Sequence, residues 1–164
     1  MSAGQLNAWE RGSSGPAVLL IHESGVSSAI WDPLAAALER SARVIGYDRA
    51  GWGASPAPEG YARTTIGEQA TQAAGLLGSG LAAGEGGGGG DRAIVVGAGL
   101  GAVVALELAL NHGELVAGVV AIEPPLLAFL RSATEQHSVD VEAIRDAARR
   151  AGRGAVLELH RTGT

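Results

Sequence analysis

Four short, largely apolar runs recur along the chain: AVLLIH at residues 17–22, RVIGYD at 43–48, RAIVVG at 92–97 and LVAGVVAIE at 115–123. Runs of this length without polar alternation suit strands buried on both faces, as in a parallel sheet covered by helices. Helical stretches separate them. Asp32-Pro33 reads as an N-cap with proline at the first helical position, opening PLAAALER. Thr65-x-x-Glu68 is a capping box before IGEQATQAAGLL, and LGAVVALELALNH, residues 100–112, is strongly helix-forming. This alternation implies an α/β fold, a mostly parallel sheet flanked by helices with right-handed crossovers.

The glycine run GEGGGGG, residues 84–90, reads as a flexible connector before the third of these strands. No Gly-Lys-Ser/Thr follows it, so it is not a phosphate loop. After Glu123-Pro124-Pro125 the pattern changes. Ser138 can cap a helix that Gly152 ends, with Val141, Ile144 and Ala148 on one face and Glu142, Asp146, Arg149 and Arg150 on the other. The expected organisation is therefore an α/β core over residues 1–125 and a helical tail over 126–164.

At 164 residues and 46% apolar content the chain is long enough for a hydrophobic core. A net charge of -5 argues against a general nucleic-acid binder. The arginines near the C-terminus are interleaved with acids, as on a solvated helix surface. With no cysteine there is no disulfide framework, thiol nucleophile or cysteine metal site. No pair of histidines has metal-ligand spacing, so neither metal nor cofactor is expected. The N-terminus lacks an apolar signal region and no run is long enough to span a membrane, which points to a cytoplasmic protein.

IVVGAGLG, residues 94–101, carries two overlapping patterns. Gly97-Ala98-Gly99-Leu100-Gly101 has the outline of the nucleophile elbow G-x-S-x-G, with glycine at its centre. Gly97-x-Gly99-x-x-Ala102 fits a dinucleotide fingerprint, with Glu123 placed to meet a ribose. The surroundings favour the elbow. VLLIHESG resembles the strand and oxyanion loop of α/β-hydrolases, WDPLAAAL the helix after it, and YDRAGWGAS the D-x-R-G-x-G-x-S turn. IVVGAGLGAVVALELALNHGELVAGVVAIEPP then resembles elbow strand, elbow, elbow helix and next strand, so residues 5 to 125 follow the family's order. The dinucleotide reading leaves residues 17–80 without a role.

The resemblance implies a site. Gly99 stands at the nucleophile position and brings no side chain. The backbone N–H of Leu100 would serve an oxyanion hole, with a second from the loop after His22, where Glu23 replaces the family's glycine. A carboxylate there opposes an oxyanion unless it points away or is protonated. His22 matches the oxyanion-loop histidine, which is mostly structural in the family, and Asp48 and Arg49 brace their turn. Glu123 follows the strand after the elbow, where some members carry the acid. His112, His137 and His160 read as surface residues. Ser24, Trp31, Trp52, Leu126 and Phe129 are candidates to line a pocket. In the family's order the acid and histidine come from later strands, so this chain reads as a truncated member with an incomplete cap.

Three functions follow. The first is a family member without its nucleophile, a pseudoenzyme that binds a small apolar or ester-like molecule. The second keeps catalysis, with water attack promoted by His22 or Glu23, or missing groups supplied by a partner chain. The third is a dinucleotide-binding module. A sheet that stops at Glu123 would leave an uncovered edge, so self-association is also expected.

Overall fold

The computed structural model describes residues 6–57, 64–78 and 92–126, together with Glu142, Asp146 and Arg149. The four expected strands are present as β2 (Ala17–Ile21), β3 (Arg43–Tyr47), β4 (Ala93–Ala98) and β5 (Val116–Ile122). A fifth, β1 (Ala8–Arg11), precedes them. The sheet order is β1-β3-β2-β4-β5, with β1 antiparallel to β3 and every other pairing parallel. All five residues of both β2 and β3 are buried, which is why the sequence shows no alternation there.

Helices cover both faces of this sheet. On one side α1 (Asp32–Leu38) brings Ala35, with Trp31 before it, against Val18, Leu20, Val44 and Val96. On the other, α2 (Ile66–Leu76) and α3 (Leu100–Asn111) pack Ala70, Ala73, Val104 and Leu108 against Leu19, Ile21, Ile45, Tyr47 and Val95. Alternate residues of one strand thus feed opposite cores.

The helix starts show which local signals carry. The capping box is formed: Thr65 Oγ1 accepts from the Glu68 N–H at 3.1 Å, and Glu68 Oε2 accepts from the Thr65 N–H at 2.7 Å. Asp32, in contrast, is the first helical residue and not the N-cap. A 3₁₀ turn, Ser28–Trp31, capped by Ser27, runs directly into α1, and the Asp32 N–H donates to the Ala29 carbonyl within it. The Asp32 carboxylate pairs instead with Arg11 at 2.6 Å.

The chain divides into two units after Pro124. In the second, Glu142, Asp146 and Arg149 are helical, and Arg149 pairs with Asp146 one turn away. The rest of the expected 138–152 helix, and the glycine run 84–90, lie outside the described residues. Among the described residues no helix is long and apolar enough to cross a membrane.

Candidate functional site

The strand order offers a place for a site. β2 is followed by α1 on one face, whereas the neighbouring parallel strand β4 is followed by α3 on the other. In an open α/β sheet such divergence marks the crevice where ligands bind, here the position beyond the carboxyl ends of β2 and β4. The loop beginning at His22 and the turn at Gly99 form its two lips.

The Gly99 turn has the backbone of a strained strand-to-helix corner. Gly99 sits at φ 53° and ψ -123°, which side chains rarely tolerate. Its N–H donates to the Ile122 carbonyl at 3.0 Å, and its own carbonyl accepts from Ala102 at 3.0 Å. The flanking glycines are required by close approach: a Cβ on Gly97 would lie 2.3 Å from the Gly101 carbonyl oxygen, and one on Gly101 would lie 2.3 Å from that of Ile21. Among the described residues nothing accepts from the N–H groups of Leu100 or Glu23, the two expected at an oxyanion hole.

Opposite Gly99 stands Glu23. The parallel register pairs Ile21 with Gly97, and two residues further along each strand bring these positions together. A Cβ on Gly99 would lie 2.9 Å from the Glu23 Cβ and 3.1 Å from its Oε2. Glu23 is exposed, and among the described residues no hydrogen bond or ion pair engages its carboxylate.

His22 is fully buried and both its ring nitrogens are occupied. Nε2 accepts from the Arg49 N–H at 2.9 Å, so Nδ1 carries the proton and donates to the Glu23 carbonyl at 2.7 Å. Burial lowers the imidazole's pKa, against the opposing effect of the Glu23 carbonyl, and keeps it neutral. A neutral ring with no free lone pair positions the loop but cannot accept a proton.

Asp48 and Arg49 do brace their turn. Asp48 accepts from the Ser28 N–H at 2.8 Å, the Ala54 N–H at 2.8 Å and the Asn7 side-chain amide at 2.9 Å. Burial works to raise the Asp48 pKa, but the donors from Ala54, Ser28 and Asn7 outweigh it and hold the carboxyl at about 2. The Arg49 guanidinium donates to Gln69 Oε1 at 2.7 Å and to Ser24 Oγ at 3.4 Å, and lies over the Trp52 ring. Asn7, Ser28 and Gln69 had no sequence signal. They are isolated polar residues, and only folding shows which charges they serve.

Trp31, a candidate for the pocket lining, packs in the α1-side core. Ser24 and Trp52 are half-buried and both meet the Arg49 guanidinium. Glu123, at the end of β5, is exposed at φ 47° and engages no other described residue. His112 ends α3, 3.9 Å from Glu114. Leu126 belongs to the second unit, and Phe129, His137 and His160 lie outside the described residues. Among the described residues no cluster of His, Asp and Glu could hold a metal ion.

Residues 18–162 match the model of the alpha/beta hydrolase family. The chain belongs to the α/β-hydrolase family. It is 38% identical over 113 residues to the protein named "Putative carbamate hydrolase RutD" in Variovorax paradoxus, covering 67% of this chain and 38% of the relative. The corresponding Escherichia coli O157:H7 protein is 34% identical over 109 residues, 65% of this chain and 37% of that one. The chain thus spans under two-fifths of the length of these curated relatives. Among solved structures, E-2-(acetamidomethylene)succinate hydrolase matches with TM-score 0.67 and 31% identity over 93% of this chain and 57% of that one. A thermophilic esterase from Thermogutta terrifontis, 23% identical, shares the fold at TM-score 0.70 over 91% and 50% of the two chains. Family membership agrees with the order of motifs around IVVGAGLG.

Proposed function

We propose that this α/β-hydrolase family chain lacks the nucleophile and, by itself, holds a small molecule in the β2–β4 crevice without hydrolysing it as a serine enzyme would. The observation that carries this is Gly99, which has the elbow's backbone and neither hydroxyl nor carboxylate. Losing the nucleophile of a triad removes on the order of a million-fold in turnover and leaves roughly 10³–10⁴ over water. His22, locked between Arg49 and Glu23, is no substitute base.

The purified chain is therefore expected to leave p-nitrophenyl acetate and a p-nitrophenyl carbamate at the buffer rate, the carbamate chosen for the relatives' name. Turnover well above that of a denatured control, scaling with protein concentration, would sink the proposal.

Self-association belongs to the same reading. β5 is the last strand of the sheet among the described residues, with Val120 and Ile122 49% and 42% exposed. If copies pair there, Ile122→Lys lowers the mass seen by light scattering at high concentration, because a charged edge resists strand pairing. A monomeric parent would remove this part of the proposal.

A further inference from the structure

We infer that Glu23 takes over the place of the elbow side chain, filling its space and presenting a carboxylate there, so that the crevice selects ligands carrying a cationic head group. This rests on reading Gly99 as the elbow position without a nucleophile.

The steric half follows from two contacts. Any side chain at residue 99 begins with a Cβ 2.9 Å from the Glu23 Cβ, closer than two such carbons approach, and 3.1 Å from the carboxylate oxygen Oε2. The Glu23 Cβ cannot readily move clear, because His22 holds the backbone from behind: its ring donates to the Glu23 carbonyl and is itself held by Arg49. Residues 23 and 99 are therefore one coupled position. A side chain fits on one lip of the crevice or on the other, and here it is on the β2 lip.

The chemical half follows from the group that is delivered. Oε2 stands 3.1 Å from where the Cβ of an elbow side chain would be, at the switch point of the sheet. It has no partner among the described residues. The nearby guanidinium of Arg49 is spent on Gln69, Ser24 and the Trp52 face, and forms no ion pair with it. A carboxylate left open beside a crevice repels carboxylates and developing oxyanions and attracts ammonium or guanidinium groups. Trp52, half-buried and edge-on to His22, the residue before Glu23, offers apolar surface for the body of such a ligand.

Two measurements on the whole chain test this. In thermal melts, Gly99→Ala carries the same backbone strain in any background, so only its loss relative to each parent is compared. That loss is expected to be smaller by roughly 2–4 °C in Glu23→Gly than in the unmodified chain. In Glu23→Ala it stays large, because that variant keeps the offending Cβ. Equal losses in all three backgrounds overturn the inference.

In NMR titrations, benzylammonium is expected to bind roughly two- to five-fold more tightly than neutral benzyl alcohol, with benzoate weakest. Glu23→Gln should abolish that order. No binding of any of the three, or an order that survives Glu23→Gln, overturns it as well. Ester turnover by the unmodified chain would instead refute the non-catalytic reading, and it leaves both of these measurements intact.

Discussion

Gly101→Ala is expected to destabilise the fold by more than about 3 kcal/mol, lowering the melting temperature by roughly 6–12 °C for a chain of this size. The new methyl would lie 2.3 Å from the Ile21 carbonyl oxygen and 2.6 Å from that of His22. Both are backbone atoms at the end of the central strand β2, so no side chain can turn aside to admit it. Either α3 must lift from the sheet or β2 must shift, and β2 is hydrogen-bonded to β3 and β4 on both sides. Close-packed interiors resist such movement. Gly67→Ala is the matched control. Gly67 lies in α2, where the nearest atom is the end of the α3 side chain Glu107 at 3.6 Å, and alanine is neutral or mildly stabilising. Denaturant melts of the two variants decide the matter. A Gly101→Ala protein melting within a degree or two of the parent would mean that α3 does not rest on β2 as described.

That glycine was legible in the sequence as part of a pattern, and its reason was not. The spacing Gly97-x-Gly99-x-Gly101 marks the corner, but the carbonyls it accommodates belong to β2, far back in the chain. The meeting of Glu23 with Gly99 is of the same kind. Two departures from the family pattern look independent in the sequence, and the Ile21–Gly97 register makes them neighbours. The central strands were readable because burial on both faces removes polar residues from β2 and β3. β1, with the sequence AWER, was missed for the opposite reason. It is short, charged and antiparallel at the sheet's edge, where one side needs no partner. The α2 start was readable because its capping box is local, whereas the α1 start was displaced by a 3₁₀ turn whose cap lies at Ser27.

The second large effect belongs to Asp48. Its Oδ1 accepts from the Ser28 N–H, and its Oδ2 from both the Ala54 N–H and the Asn7 amide. In Asp48→Asn, whichever way the new amide is turned, its NH₂ faces one of the two backbone donors. Asn7 can rotate to accommodate it, but Ser28 and Ala54 cannot. An unmet buried donor costs about 1–3 kcal/mol, and the bonds lost here are charge-assisted. The pH dependence separates this from simple misfit. The folded carboxyl sits at about 2 against an ordinary 3.8, so the native state favours the ionised form. The stabilisation, about 2 kcal/mol, is complete above roughly pH 4 and is lost as the pH falls through about 2. The parent should therefore lose stability steeply across that window, while Asp48→Asn, already weakened at neutral pH, should show a slope shallower by this one group's contribution. The damage should reach the crevice as well, because the next residue, Arg49, holds His22 through its N–H and Ser24 through its guanidinium. Urea melts of both proteins at pH 7 and pH 3 give the answer: parallel losses between the two pH values would show that the Asp48 carboxylate does not carry this stabilisation.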